Sequence, residues 1–199
     1  MLICDEYKWI FLRNPKTASR SVSYALKSIF VTRKYLPFHN WIIPKELSEY
    51  FIFTTVRNPY ARVISDWKAW IKKGLKKHGK SNYSLNFEKF FEDLNSGKIK
   101  RKADFEWRRQ VGVIDKIEGV HILRYESLEK DFNALPFIDQ HKGTYWTPLG
   151  SLNFPFVLPQ IGIQNYDDWQ SYYTPDLEAK VYEFLKNDFE RFGYKRLKF

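Results

Sequence analysis

Lys16, Thr17, Ser19 and Ser21 stand close together after the dipeptide Asn14-Pro15, and they offer one cation and three hydroxyls to an anion. Just before them, the apolar run Trp9-Ile10-Phe11-Leu12 reads as a short buried strand that stops at Asn14-Pro15, a turn dipeptide. Just after them, Val22, Tyr24, Ala25, Leu26 and Ile29 continue with helical spacing. The order is strand, tight turn, helix N-terminus. Such a turn aims unpaired backbone N–H groups and the positive end of the helix dipole at one point, which suits a phosphate- or sulfate-sized anion. The glycine-rich loop of nucleotide triphosphatases is a different pattern, because no glycine precedes Gly74. Taken alone, a Lys-Thr-Ala-Ser turn also serves as an ordinary strand-to-helix connection capped by a hydroxyl.

A second unit of the same kind lies downstream. Phe51-Ile52-Phe53-Thr54-Thr55-Val56 is β-branched and aromatic, apolar on both faces, as central parallel strands are. It runs into Arg57-Asn58-Pro59-Tyr60, where Asn58 suits a helix cap and Pro59 the first turn, and Ile64, Trp67, Lys68 and Ile71 continue the helix. Arg57 thus stands at the carboxyl end of a strand, where open α/β sheets bind their ligands. Two strand–turn–helix units ending in Lys16 and Arg57 suggest two anionic groups held on one sheet edge.

The elements around these units follow from simple signals. Pro44 to Tyr50 reads as a short helix with proline at its first position, and Val120 to Tyr125 as a third strand followed by a short helix with Ser127 as cap. Helices are expected near Asn86–Asn95, closed by Gly97, and over Ala103–Val113. Thr174, Pro175 and Asp176 open a last helix, which Gly193 ends. The lysine-rich stretch from Gly74 to Lys102 and the Pro- and Gly-punctuated stretch from Asp139 to Gln170 read as excursions. With 199 residues, 44% of them hydrophobic and 28% charged, the chain suits one domain over residues 1–199. No apolar run reaches the roughly 18 residues of a membrane span. Cys4 is the only cysteine and no secretory-type leader precedes the first strand, so a reducing, cytoplasmic setting is expected. One cysteine and four scattered histidines match no metal-ligand spacing, so no metal is expected. The net charge of +10 calls for anionic partners without choosing among nucleotide, glycan, nucleic acid or anionic lipid.

Arg13-Asn14-Pro15-Lys16-Thr17-Ala18-Ser19 resembles the loop with which sulfotransferases hold the 5′-phosphosulfate of 3′-phosphoadenosine 5′-phosphosulfate (PAPS). Val56-Arg57-Asn58-Pro59-Tyr60-Ala61-Arg62-Val63-Ile64-Ser65 resembles their 3′-phosphate signature, an arginine followed eight residues later by a serine. Trp107-Arg108-Arg109-Gln110, Ile122-Leu123-Arg124-Tyr125-Glu126-Ser127-Leu128 and the ending Tyr172 to Tyr194 resemble segments of the carbohydrate (heparan/chondroitin-type) sulfotransferases in order and spacing. The likeness covers most of the chain outside Gly74–Lys102 and Asp139–Gln170. Arg20 stands where many relatives have a second hydroxyl residue, and Trp67 where a tyrosine is frequent. The chain is shorter than most glycan-modifying relatives and lacks their membrane anchor and disulfides, which leaves the acceptor class open.

The resemblance implies an α/β fold with a mainly parallel central sheet flanked by helices, of the P-loop nucleotide-kinase-like sulfotransferase type. It implies transfer of sulfate from PAPS to a hydroxyl, less favourably an amine, of a carbohydrate acceptor, with an anionic glycan as one candidate. Lys16 would sit near the oxygen that bridges phosphate and sulfate, and Arg13, Pro15, Thr17, Ala18, Ser19, Arg20 and Ser21 would line the same group. Arg57 and Ser65 would hold the 3′-phosphate. His39 lies between the two phosphate motifs, where relatives place a catalytic histidine, and an imidazole suits the removal of the acceptor's proton. Glu46 and Glu49 are alternative bases. Tyr125 and Trp41 would stack on adenine, line the acceptor cleft or belong to the core, and Gln110 falls in a segment assigned to substrate. Two rivals stay open: a kinase-like phosphotransferase using ATP and Mg²⁺, and a basic, aromatic nucleic-acid-binding module. The second leaves the paired strand–turn–helix motifs unexplained, so no nucleic-acid partner is expected.

Overall fold

The computed structural model describes residues 1–34, 43–78, 86–98, 109–161 and 168–199. They pack as two compact units, Met1–Arg57 with Gly112–Ile163, and Asn58–Val111 with Gln164–Phe199. Among the described residues no helix is long and apolar enough to cross a membrane.

The first unit holds a five-stranded sheet of β1 (Leu2–Cys4), β2 (Trp9–Leu12), β3 (Arg33–Lys34), β4 (Phe51–Val56) and β5 (His121–Arg124), in the order β3-β1-β2-β4-β5. The ladders β2–β4 and β4–β5 are parallel, whereas β1–β2 and β1–β3 are antiparallel. The sheet is therefore mixed where the sequence suggested a mainly parallel one. Only the short turn Asp5–Lys8 separates β1 from β2, and a link of that length joins antiparallel strands; parallel neighbours need a crossover of a dozen or more residues. The parallel strands β2, β4 and β5 do have such crossovers, through α1 (Ser19–Ile29) and through the second unit's segment.

Alternation along the strands builds two cores in this unit. On one face Leu2, Cys4, Trp9, Phe11, Phe53 and Leu123 pack with Val22, Ala25 and Leu26 of α1 and with Leu128 and Phe132 of α5 (Leu128–Asn133). On the other face Ile3, Ile10, Leu12 and Ile52 meet Leu47, from a 3-10 turn at Lys45–Leu47. The register explains the sorting, since Ile3 lies opposite Ile10 and Ile10 opposite Ile52. Trp9 stacks on Phe137 at 5.3 Å between ring centroids, and each fully buried aromatic of this kind stabilises the fold by roughly 1.5–3 kcal/mol. Pro44 caps the 3-10 turn rather than opening a helix. The stretch read as irregular contains a hairpin, β6 (Thr144–Thr147) with β7 (Gly150–Asn153), turning at Pro148-Leu149.

The second unit is helical: α2 (Pro59–His78), α3 (Phe87–Asn95) and α6 (Pro175–Phe192) share a core that includes Tyr60, Trp67, Phe90, Phe91, Tyr173, Leu185 and Phe189. α2 and α6 start on the expected caps, Asn58 and Thr174, and α3 on Asn86. Asn58 Oδ1 accepts from the amides of Tyr60 and Ala61 at 3.0 and 3.4 Å, Asn86 Oδ1 from Lys89 at 2.8 Å, and Thr174 Oγ1 from Leu177 at 3.3 Å. Gly193, at φ 66°, ends α6 in the left-handed region that glycine enters without penalty. The single turn α4 (Val111–Ile114) lies where the chain passes from the second unit back to the first. The rest of the helix expected over Ala103–Val113 lies outside the described residues up to position 108; of the lysine-rich excursion expected from Gly74, Gly74 to His78 instead continue α2, and positions 79–85 lie outside the described residues.

Candidate functional site

The three parallel strands β2, β4 and β5 end on one edge of the sheet, and each delivers a polar or aromatic group there. After β2 the chain makes the turn Arg13–Ala18. Asn14 is fully buried and its Nδ2 donates to the carbonyl of Thr55 at 3.1 Å. Thr17, also fully buried, donates its hydroxyl to the carbonyl of Asn14 at 2.8 Å and lies 2.6 Å from the hydroxyl of Thr55. The hydroxyl of Thr54 donates to the carbonyl of Leu12 at 2.8 Å. The turn is thereby riveted to the end of β4. Among the described residues, the buried Oδ1 of Asn14 and Nε of Arg13 have no hydrogen-bond partner.

Lys16 and Ala18 carry φ values of 68° and 61°. The left-handed region costs a non-glycine residue roughly 1–2 kcal/mol, and it is the region that glycines occupy in phosphate-binding loops. Without any glycine the turn thus takes a glycine-like path. Ala18 stands at the N-cap of α1 and supplies no side-chain bond, and the first turn of α1 contains no acidic residue. The amide of Val22 bonds the carbonyl of Ala18 at 3.2 Å, so the helix ladder begins only there. What the first turn presents is backbone N–H and the positive end of the helix dipole.

Arg57 follows β4 and is only 8% exposed, with its guanidinium 4.0 Å from the centroid of the Tyr125 ring. Tyr125 follows β5 and opens a 3-10 turn, Tyr125–Ser127. Asp131 fixes that turn by accepting from the amide of Arg124 at 2.7 Å and from the hydroxyl of Ser127 at 2.9 Å. Ser127 is the N-cap residue of α5 as expected, but its hydroxyl donates to Asp131 rather than capping the helix.

A cavity of about 380 Å³ opens between the start of α1 (Ala18, Ser21), the Tyr125 turn and the segment Val157–Gln160. That segment is a strap held at both ends. Asn133 pairs with the amide and carbonyl of Phe156 at 2.7 and 2.9 Å, and Glu129 Oε1 accepts from the amide of Leu158 at 3.1 Å. At the far end the amide of Ile161 donates to the Ser21 hydroxyl at 3.3 Å. The strap was not foreseen. Its partners lie more than twenty residues away in sequence, and no local pattern announces such a contact.

The residues read from sequence divide by location. Arg13, Pro15, Lys16, Thr17, Ala18, Ser19, Arg20 and Ser21 form the turn and the first turn of α1 in the first unit, which also holds Arg57 and Tyr125. The Thr17 hydroxyl donates to a buried carbonyl, and the Ser21 hydroxyl accepts from the strap's Ile161 amide. Tyr125 presents one ring face to Arg57. Ser65 lies in the second unit, buried on α2. Gln110, expected to touch substrate, is fully buried there: its amide and that of Val111 donate to the two oxygens of Asp188 at 2.9 Å, and its side chain lies 3.5 Å from the same carboxylate. Burial pushes the Asp188 carboxyl above its ordinary range, offset in part by Arg62 and these amides. Gln110 is thus tied to Asp188 and has no exposed surface here. His39 and Trp41 lie outside the described residues, and Glu46 and Glu49 are exposed. Among the described residues no group of His, Cys, Asp and Glu has the makings of a metal site.

No curated protein and no solved structure matches this chain. A model of the sulfotransferase family matches residues 1–195, which run through both units and include every residue of the turn, the strand ends and the strap. The chain belongs to the sulfotransferase family.

Proposed function

We propose that the protein transfers a sulfuryl group from PAPS to a hydroxyl of a carbohydrate acceptor, with the Arg13–Ser21 turn acting as a glycine-free phosphate-binding loop. The observation that carries this reading is the left-handed backbone at Lys16 and Ala18, at the start of a helix whose first turn has no side-chain cap. Strain of this kind persists where the surroundings impose it, and here the Asn14 and Thr17 bonds to Thr55 impose it. The turn's amides and the Lys16 ammonium would neutralise the phosphosulfate, and the hydroxyls of Thr17 and Ser21 would hold the loop and the strap. Arg57, which the family likeness assigns to the 3′-phosphate, would select this donor over ATP. The cavity beside Tyr125 falls within the usual range of small-molecule sites, about 300–1,000 Å³, and suits the nucleoside part.

In the reaction the acceptor oxygen forms a bond to sulfur as the bond from sulfur to the bridging phosphate oxygen breaks. His39 takes the acceptor's proton. Lys16 meets the charge that develops on the leaving oxygen, and adenosine 3′,5′-bisphosphate is the product. Positioning and electrostatics supply the catalysis, as in phosphoryl transfer through a loose transition state.

Calorimetric titration of adenosine 3′,5′-bisphosphate into the wild type and an Arg57→Ala variant, with ATP and Mg²⁺ as control, tests the donor assignment. The expected result is wild-type binding that weakens at least tenfold in the variant and that ATP does not match. Equal affinity for ATP and the bisphosphate would sink it.

A further inference from the structure

The β6–β7 hairpin has two faces of opposite character. Its register sets Thr144 opposite Asn153 and Trp146 opposite Ser151, and side-chain alternation puts these four on one face. All four are exposed. The other face carries Tyr145 and Leu152, which pack on the first unit's core. Trp146 is 84% exposed and Leu149, at the tip, 64%. Leaving an indole in water forgoes the stabilisation that burial brings, so its position asks for a partner.

The surroundings of Trp146 say which chemistry fits. The Thr144 hydroxyl donates to Asn153 Oδ1 at 2.8 Å, and Asn153 Nδ2 lies 3.5 Å from the Ser151 hydroxyl. An apolar ring face thus adjoins an ordered row of hydroxyl and amide groups. A pyranose has the complementary surface, with C–H groups on its faces and hydroxyls around its rim. Charge narrows the class further. Neither α1 nor the stretch His141–Ile161 contains an Asp or Glu, and Arg20 and Lys27 are exposed on α1, whereas Lys142 pairs with Asp139 at 3.0 Å. The hairpin tip is fixed to α1, because the amide of Leu149 donates to the Tyr24 hydroxyl at 3.1 Å. Arg20 and Lys27, four residues before and three after Tyr24, lie on that same side of the helix. Positive charge is crowded there: burial first, then the charges of Lys34 and Arg13, hold the Lys27 ammonium below its ordinary range.

We propose that the outward face of this hairpin docks an anionic oligosaccharide, with Trp146 stacking on one sugar ring and the basic residues of α1 drawing its acid groups. The occupant is the acceptor chain, so this inference rests on the carbohydrate reading above. The hairpin would hold the chain several sugars away from the reacting one and set which positions along it are reached.

The test is a calorimetric titration of a desulfated chondroitin octasaccharide into the full chain and its Trp146→Ala, Trp146→Phe and Lys27→Ala variants. Each variant is also titrated with adenosine 3′,5′-bisphosphate, and each is sedimented. Trp146→Ala is expected to bind the octasaccharide at least tenfold more weakly and Trp146→Phe to recover part of that loss. Lys27→Ala should lower affinity a few-fold and reduce its salt dependence. Bisphosphate affinity should not change, which also reports that the variants fold. Wild-type affinity for the octasaccharide in Trp146→Ala overturns the proposal, as does an absence of octasaccharide binding or equal affinity for uncharged maltohexaose. A change in sedimenting mass in Trp146→Ala, with octasaccharide affinity intact, would instead assign the face to a second copy. If the wild type binds no bisphosphate but binds the octasaccharide through Trp146, the donor reading falls and this one stands.

Discussion

The helices α1 and α6 begin in opposite ways. α6 has three stabilising devices of a helix N-terminus: Thr174 caps the amide of Leu177, Pro175 opens the helix, and Asp176 and Glu178 lie in the first turn at the positive end of the dipole. α1 has none of them. Its cap position is an alanine in the left-handed region, its first turn is free of acids, and the neighbouring Thr17 hydroxyl turns inward to Asn14 and Thr55. One helix start is closed by its own side chains, and the other has no side-chain cap. A helix that forgoes capping loses about 1 kcal/mol, and the strained residues add to that cost, so α1 begins less stably than α6.

That contrast can be broken from either side. The largest effect is expected from Lys16→Gly, which removes the charge while supplying the residue best suited to the backbone conformation. Sulfotransfer should fall about 10²- to 10³-fold, the loss typical of one lost transition-state contact, while thermal stability holds or rises. A parallel fall in melting temperature would show that Lys16 serves the fold. Next, Ala18→Asp would place at the open helix a carboxylate of the kind that α6 carries. Bisphosphate affinity should drop about tenfold or more without loss of stability, as calorimetry and thermal melts would report. Thr174→Ala should do the reverse, lowering unfolding free energy in urea by about 1 kcal/mol with donor affinity untouched.

The smallest effect appears only in acid. Glu178 is buried, and it accepts from the Tyr60 hydroxyl and from Arg196 at 3.1 and 2.6 Å. Burial disfavours its charge, but the Arg196 and Tyr60 hydrogen bonds outweigh burial and hold the carboxyl below the ordinary glutamate range. A depressed folded value stabilises the protein above the unfolded value, and that stabilisation is lost as pH falls through the folded one. Urea midpoints measured from pH 7 downward should fall less steeply in Glu178→Gln than in the wild type. Asp188 has the opposite sign, since its raised value makes ionisation oppose folding as pH rises through it.

How much of this was readable in advance depended on distance along the chain. Trp9–Leu12 and Phe51–Val56 were legible because buried parallel strands are apolar runs, and α6 because Thr174-Pro175 and Gly193 mark its ends. β1 and β3 were missed; three and two residues are too few to show a period, and β3 is an exposed Arg-Lys pair on the sheet edge. The hairpin was hidden because its alternation of Tyr145 and Trp146 sits among prolines and glycines. In the candidate site, the Lys16 turn and Arg57 are local features and were found. The inward Thr17 hydroxyl, the strap over the cavity and the burial of Gln110 against Asp188 all depend on partners remote in sequence.

The guanidinium of Arg57, lying over Tyr125, has one further consequence. A free arginine side chain surrenders much of its rotational freedom when it grips a ligand, roughly 0.5–1.5 kcal/mol for an immobilised side chain. Arg57 is nearly buried and stacked, so folding has already taken that freedom away. An anion bound there would meet a fork already held still, and the advantage would show as a less unfavourable entropy of association. Replacing the flat ring beneath it would return the motion to the unbound protein, and the ligand would then have to quench it.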